Sequence, residues 1–319
     1  MTHKVLDLFA GTGVGVGCRN LGVEEYGVEV WDAAVKSRDA AGMTTPYRDA
    51  WDIDAADGLE FDTLWASPPC QTFSTAGSGS GRKALNDVVT AIRQGRYRNP
   101  DLLKTLADEV GDARTALVLI PLAYVWRFRP GYVVFEQVTP VLPVWEETAK
   151  VMRDLGYSVW TGILDAADYG VPQNRKRAYL IARRDGRVAK APAETTPDWV
   201  SMYEALGWGL THRPSPTLTS HLGVTRSPTG TQRVYLDAID AGEFVFRPGV
   251  VPEASRVATK GIGSQYAPNT INVSSAEGAV LQSYPRDFPF QGTKTEIDLQ
   301  IGNAVPPRVA EAVLSEVWS

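Results

Sequence analysis

The chain has 319 residues, a formal net charge of −5, 44% hydrophobic and 22% charged residues, a globular composition that argues against disorder. No apolar run reaches the ~18 residues a membrane span needs, and residues 1–11 carry one Lys before a short β-like run, too short for a signal peptide. Two cysteines, Cys18 and Cys70, cannot build a disulfide framework, and His3, His212 and His221 are scattered, which excludes a secreted scaffold and a zinc cluster.

In chain order, residues 4–9 (KVLDLF) predict a strand, AGTGVGVG a glycine turn, and the chain to about Leu21 a helix. Residues 23–30 predict a second strand ending near Glu29, and WDAAVKSRDAAG a helix closed by Gly42. Residues 61–69 predict a third strand running into a Pro-Pro turn. The Gly, Ser, Arg and Asn content of 75–100 predicts a long mobile loop. Residues 113–128 have apolar residues at helical spacing, 131–138 predict a strand, and 145–156 a helix ending at Gly156. Two more strands are expected at 157–166 and 177–184. Alternating strands and helices of this kind mean a doubly wound α/β domain. After Asp185 the pattern changes to Pro, Gly, Thr and Ser, with short β-like runs such as RVYL and EFVF and few helical patterns. The division expected is 1–186, with 296–319 returning to it, and a smaller irregular β-containing domain at 187–295. Residues 305–318 predict a helix with Pro just inside its start.

Charge is unevenly placed. Arg82, Lys83, Arg93, Arg96, Arg98 and Lys104 outnumber the acids of 82–104, and 175–190 holds seven basic residues against Asp185. A basic face on an acidic protein fits phosphate contact; a solvated surface is the plainer reading.

Four stretches carry chemistry. Asp7-Leu-Phe-Ala-Gly-Thr-Gly is a strand feeding a glycine turn and a helix start, a nucleotide-type cradle, with Glu29 placed for ribose hydroxyls. NAD, FAD and methyltransferase enzymes share that layout. Asp7 and Phe9 beside the turn suit a cationic sulfonium with an amino-acid tail better than a pyrophosphate. Ser67-Pro-Pro-Cys70 presents a cysteine at the carboxyl edge of the sheet, where doubly wound folds bind ligands. Glu136 of VFEQV ends another strand at that edge and could donate a proton to a ring nitrogen. Gln173, Arg175 and Arg177 alternate and so share one face.

Together these stretches resemble the DNA (cytosine-5) methyltransferases, in order and over most of the chain. DLFAGTG resembles the cofactor motif, GVEV its ribose glutamate, SPPCQTFS the catalytic PCQ loop, FEQV the ENV motif and QNRKR the QxRxR motif. RPSPTLTS resembles the segment that supports target recognition, and VLQSYPRDFPFQG and QIGNAVPP the terminal LQ-FP and GN-VP motifs. EALGWGLTHRPSPTLTS and QIGNAVPP are most similar to the short phage-like or actinobacterial members.

The resemblance implies a Rossmann-like S-adenosylmethionine-dependent fold with a small target-recognition domain. It implies S-adenosyl-L-methionine held by Asp7, Phe9, Ala10, Gly11, Thr12, Gly13, Glu29, Val30, Asp49, Ala50, Pro69, Asn303 and Ala304. The adenine-side acid is Asp49 or Asp52, and Asp49 fits the family spacing better. The Cys70 thiolate would add to cytosine C6, Glu136 would hold or protonate N3, Arg177 would bind O2 and orient Glu136, and Arg175 would hold the catalytic loop. The base must leave the helix stack; Gln71 and Ser74, in a closing 71–100 loop, and Gln173 and Thr217 would contact DNA. The implied partners are double-stranded DNA and, for restriction–modification members, a cognate restriction endonuclease. A monomer without metal or membrane anchor is expected, in the cytoplasm of a prokaryotic cell or phage-infected host.

Two departures stand out: Gln137 replaces the Asn of ENV, so a longer amide must find a new partner, and Ala304 replaces a Ser. Other classes fit less well. Amino-methyltransferases need an aromatic where Cys70 stands, and two-cysteine RNA enzymes need a second catalytic cysteine, which Cys18 in the cofactor helix cannot be. The Cys-Phe-Thr signature of tRNA-acting relatives is absent, and an NAD oxidoreductase needs neither PCQ nor QxRxR. A non-enzymatic relative should lack Cys70 or Glu136.

Overall fold

The computed structural model describes residues 3–69, 80–110, 113–219, 230–249 and 273–319. Its centre is a six-stranded sheet of β1 (Lys4–Leu8), β2 (Glu24–Val28), β3 (Thr63–Ala66), β4 (Tyr132–Val138), β5 (Ser158–Asp165) and β6 (Lys176–Arg183), in the order β2-β1-β3-β4-β6-β5. β2, β1, β3 and β4 run parallel, and β6 is antiparallel to β4. The order reverses beside β1, so the turns after β1 and β3 open on the crevice where such sheets bind ligands.

Alternation along the strands separates two faces. Leu6, Leu8, Leu64, Ala66, Val133, Phe135 and Leu180 share one apolar cluster with Val88, Ile92, Leu103, Leu106, Tyr124, Trp145 and Met152. The opposite face carries Asp7, Trp65, Val134 and Ile181 in register, and Glu136 follows Val134 on it.

The six strands expected over 1–185 all form, with ends within three residues of those predicted. The 75–100 loop is corrected. Its residues 75–79 lie outside the described residues, but α3 (Ser80–Arg93) and a 3-10 turn (Arg96–Arg98) follow, then α4 (Pro100–Val110). Ala84, Val88, Ala91 and Ile92 are buried at i, i+4, i+7 and i+8, a helical stripe that the Gly and Ser content obscured. The helix expected over 113–128 is two, α5 (Ala113–Leu117) and α6 (Ile120–Phe128), with Pro121 in the first turn of the second. α1 (Gly13–Asn20), α2 (Asp32–Ala40) and α7 (Leu142–Asp154) match expectation.

By compactness the chain forms two units. The first is 1–164, 176–193 and 310–319; the second is 165–175 and 194–309, so the 165–175 turn and the chain to Val309 group with the smaller unit. α12 (Pro307–Trp318) brings Trp318 into the first unit, where its indole N–H donates to Thr63 Oγ1 at 2.9 Å. The second unit is more helical than its composition suggests: α8 (Met202–Leu206), α9 (Gly230–Asp240), α10 (Ser275–Leu281) and α11 (Lys294–Asn303). RVYL belongs to α9; only EFVF forms a strand, β8 (Phe244–Val245), paired antiparallel with β7 (Gly209–Leu210).

Candidate active site

The turn after β1 is built on two left-handed residues, Phe9 at φ 60° and Gly11 at φ 47°. A non-glycine there is uncommon and marks a constrained loop. Glu29 grips that loop: Oε2 accepts the Gly11 N–H at 2.9 Å and Oε1 the Trp31 N–H at 2.8 Å. Each oxygen keeps a lone pair, so a carboxylate fixed this way can still accept from ribose hydroxyls. Val30 beside it is 67% exposed, an apolar side chain left open. Arg48 donates to the carbonyls of Glu29 (2.8 Å) and Val30 (2.7 Å) and fixes this strand end.

Asp49 is exposed and accepts the Trp51 N–H at 3.0 Å, while Ala50 is buried with its carbonyl held by Tyr124 Oη at 3.1 Å. Burial pushes the Tyr124 hydroxyl pKa up, so it stays a donor. A cleft of about 760 Å³ opens beside Asp49 and Trp51, walled by Pro100 and Lys104 of α4.

Asp7 is fully buried beneath the loop, and both its oxygens lack a hydrogen-bond partner among the described residues. Burial, then the neighbouring Glu25, pushes its pKa well up. Ala10, Thr12 and Gly13 are also buried, which leaves the turn's open edge to Phe9 and Gly11.

At the end of β3, Trp65 Nε1 donates to Ser67 Oγ at 3.0 Å and the chain enters Pro68 and Pro69. Cys70, Gln71 and Ser74 lie outside the described residues. The Pro-Pro turn is held from β4: Gln137 Nε2 donates to Pro68 O at 2.5 Å, and Gln137 Oε1 accepts the Val138 N–H at 2.5 Å. The longer amide has thus found partners on both sides. Glu136 points to the opposite face and is 7% exposed. Arg177 pairs with Val138 across the ladder, and Glu136 with Tyr179, so the two charged residues are diagonal neighbours on one face. Arg177 Nε lies 3.3 Å from Glu136 Oε1.

In the second unit, Gln173 and Arg175 share a partner. Gln173 Oε1 accepts the Leu218 N–H at 2.8 Å, Gln173 Nε2 donates to Leu281 O at 3.2 Å, and Arg175 Nη1 donates to Leu218 O at 3.2 Å. Gln173 is completely buried and staples the QNR segment to the PTLT segment. The Thr217 hydroxyl donates to Asn174 O at 2.6 Å. Arg175 is buried, and its N–H is held by Asp165 Oδ1 at 2.8 Å. Asn303 is exposed at the end of α11, and Ala304 caps it.

The basic face largely dissolves. Arg183 is buried on Asp185 (2.8 and 2.5 Å), Lys190 meets Glu316, Arg93 meets Glu147, and Arg96 meets Glu109. Among the described residues no group of acids, His and Cys is arranged to hold a metal, and no helix is long and apolar enough to cross a membrane. The sequence reading missed Arg38 and Glu25, a buried pair behind the loop. Their signal was an Arg on the inward stripe of α2 (Ala33, Ala34, Ser37, Arg38) facing alternate residues of β2.

The family model for C-5 cytosine-specific DNA methylases matches residues 3–92, 107–222 and 251–319. The chain belongs to this family. It is a DNA cytosine-5 methyltransferase, and membership with this fold implies S-adenosylmethionine use. The methyltransferase is 28% identical to Type II methyltransferase M.HgiDI of Herpetosiphon aurantiacus, covering 96% of this chain and 91% of that protein. It is 26% identical to M.HindV of Haemophilus influenzae, covering 98% and 96%. Its fold is shared by the Entamoeba histolytica methyltransferase EhMeth (TM-score 0.66, 14% identity, 100% and 98% coverage) and by S. pombe Dnmt2 (TM-score 0.62, 14%, 98% and 97%). Segments 93–106 and 223–250 fall outside the family match; the first spans the 3-10 turn and the start of α4.

Proposed function

We propose that this methyltransferase acts on C5 of a flipped-out cytosine in double-stranded DNA through a covalent Cys70–C6 adduct. The observation that carries the reading is the Glu136–Arg177 pair at the carboxyl edge of the sheet, beside a Pro-Pro turn that Gln137 fixes. Extrusion of the base costs a few kcal/mol.

The Cys70 thiolate gives its electron pair to C6, the ring electrons move through C5 and C4 toward N3, and Glu136 supplies the N3 proton. Arg177 binds O2 and keeps Glu136 aimed. S-adenosylmethionine, when bound, supplies an electrophilic methyl group on a cationic sulfur. After methylation, N3 returns its proton to Glu136, and loss of the C5 proton to water restores the C5–C6 double bond and expels Cys70 as thiolate. Arg175 is proposed to brace the catalytic loop, and Gln71 and Ser74 to close on the base.

The residues fit the cofactor: Glu29 is a fixed carboxylate with acceptor capacity to spare, Val30 is an open apolar side chain beside it, and Asp49 is exposed for an amino group. Phe9, Gly11, Ala50, Pro69, Asn303 and Ala304 complete the proposed set. The small domain, 187–295, is proposed as the reader of the target sequence, and the cytoplasm as the working compartment.

Bisulfite sequencing of DNA from cells expressing the protein tests the function. The expected result is 5-methylcytosine at one sequence context, absent for Cys70→Ala and redistributed by Arg226→Ala, which lies outside the described residues. No methylated cytosine, or methylation that survives Cys70→Ala, would overturn it.

A further inference from the structure

Arg38 has no exposed side-chain surface, and its partner Glu25 has 4%. The guanidinium makes five hydrogen bonds. Nη2 donates to both Glu25 oxygens at 2.9 Å and to Thr44 O at 2.7 Å, and Nε donates to Thr45 Oγ1 at 2.9 Å. The fifth, from Nη1, goes to Gly11 O at 3.0 Å. β2 makes room for this group with Gly27, where a β-carbon would fall inside the guanidinium. Gly27 pairs with Asp7 in the ladder, which sets a second carboxyl group nearby. A buried ion pair of this kind is weak evidence for stability, because desolvation offsets its attraction. It therefore needs another reason to be there.

That reason lies in Gly11. Its N–H is fixed by Glu29 and its C=O by Arg38, so two side chains from different elements clamp one left-handed residue. The peptide bond is planar and trans. With Gly11 O drawn to Arg38, the N–H end of the same trans peptide unit points the opposite way at Thr12, the residue that precedes α1.

We propose that Arg38 is a positioning residue for the methyl donor, acting through Gly11 to set the orientation of the loop that binds it. The inference rests on the reading that residues 9–13 and Glu29 hold S-adenosylmethionine. A change at Arg38 then raises the donor's dissociation constant and KM while the DNA KM stays constant. A merely structural role lowers thermal stability and the folded fraction but leaves donor affinity per folded molecule unchanged.

The test is calorimetric titration of the full chain with S-adenosylmethionine, with the melting temperature recorded for each variant. Arg38→Lys keeps a cation beside Glu25 and so avoids an unpaired buried carboxylate. It is expected to weaken binding at least threefold, and Arg38→Met at least tenfold. Thr45→Val removes a different anchor of the same guanidinium and is expected to change affinity by less than twofold while lowering the melting temperature. Donor affinity within twofold of the parent in folded Arg38→Lys overturns the proposal, whatever happens to stability. Glu29→Ala separates the two levels. If it also leaves affinity unchanged, the cofactor reading fails; if it alone weakens binding, only the role of Arg38 fails.

Discussion

Gln137 shows how one methylene changes the wiring of a site. The position is an amide in the family motif, and here the longer side chain spans from β4 to the carbonyl of Pro68, two residues before Cys70 in the sequence. Gln137→Asn shortens the reach by about one C–C bond and should leave Pro68 O without its donor. A lost buried hydrogen bond costs about 1–3 kcal/mol, so kcat should fall roughly 5- to 100-fold while donor affinity holds. Single-turnover kinetics with calorimetry checks this; an unchanged kcat would mean that Gln137 does not hold the catalytic turn. Glu29, Glu136 and Arg177 could be placed from the sequence, because each lies in a motif at the end of a strand, while their roles stay proposals and Cys70 lies outside the described residues. The burial of Asp7 was not legible, because adjacency to a glycine turn says nothing about which face of the strand a side chain takes.

At the level of elements, the parallel strands were plain because each is a short apolar run ended by Gly or Pro. The helices of the second unit were hidden by composition, although three of them announce themselves. Ser201 with Glu204, Ser274 with Glu277 and Thr293 with Glu296 form reciprocal capping boxes, each visible as S/T-x-x-E. α3 was missed because glycines before it weighed more than the stripe within it. It is tied to α7 by Arg93, which donates to Glu147 at 3.0 and 3.2 Å. Hydrogen bonds from Arg93 and Lys150 lower the Glu147 pKa to about 2. A depressed carboxylate contributes stability that is full above its ordinary pKa and fades as pH falls toward the folded value. Glu147→Gln should therefore lower the unfolding free energy by about 0.3–1 kcal/mol at pH 7, since Arg93 is largely exposed. The deficit should shrink from pH 4.5 downward. Denaturant titrations at pH 7 and 3.5 measure it; a deficit that grows in acid would reverse the assignment.

On the scale of the whole molecule, a net charge of −5 must still allow a polyanion to approach. Among the described residues of the two clusters, Arg93, Arg96, Arg177, Arg183 and Lys190 are matched to carboxylates, so part of the basic count is paired within the protein. Arg183 and Arg184 separate the two roles. Arg183 is buried on Asp185, lowering its pKa to about 2, and donates to Ser319 O at 3.0 Å, whereas Arg184 is exposed beside Tyr157. Arg183→Ala should reduce stability and leave DNA affinity intact. Arg184→Ala should lower the salt slope of DNA binding by about 1. Affinity measured at two salt concentrations decides; equal effects from both would restore the basic face. The central claim is covalent catalysis by Cys70 at C6, and trapping tests it most directly. With S-adenosylmethionine and duplex DNA carrying 5-fluorocytosine at the target, C5 has no proton to lose and Cys70 cannot leave. A complex that survives denaturation is expected for the parent and for Cys18→Ala, and none for Cys70→Ala. An adduct that persists in Cys70→Ala, or none with the parent on DNA it methylates, would contradict the account.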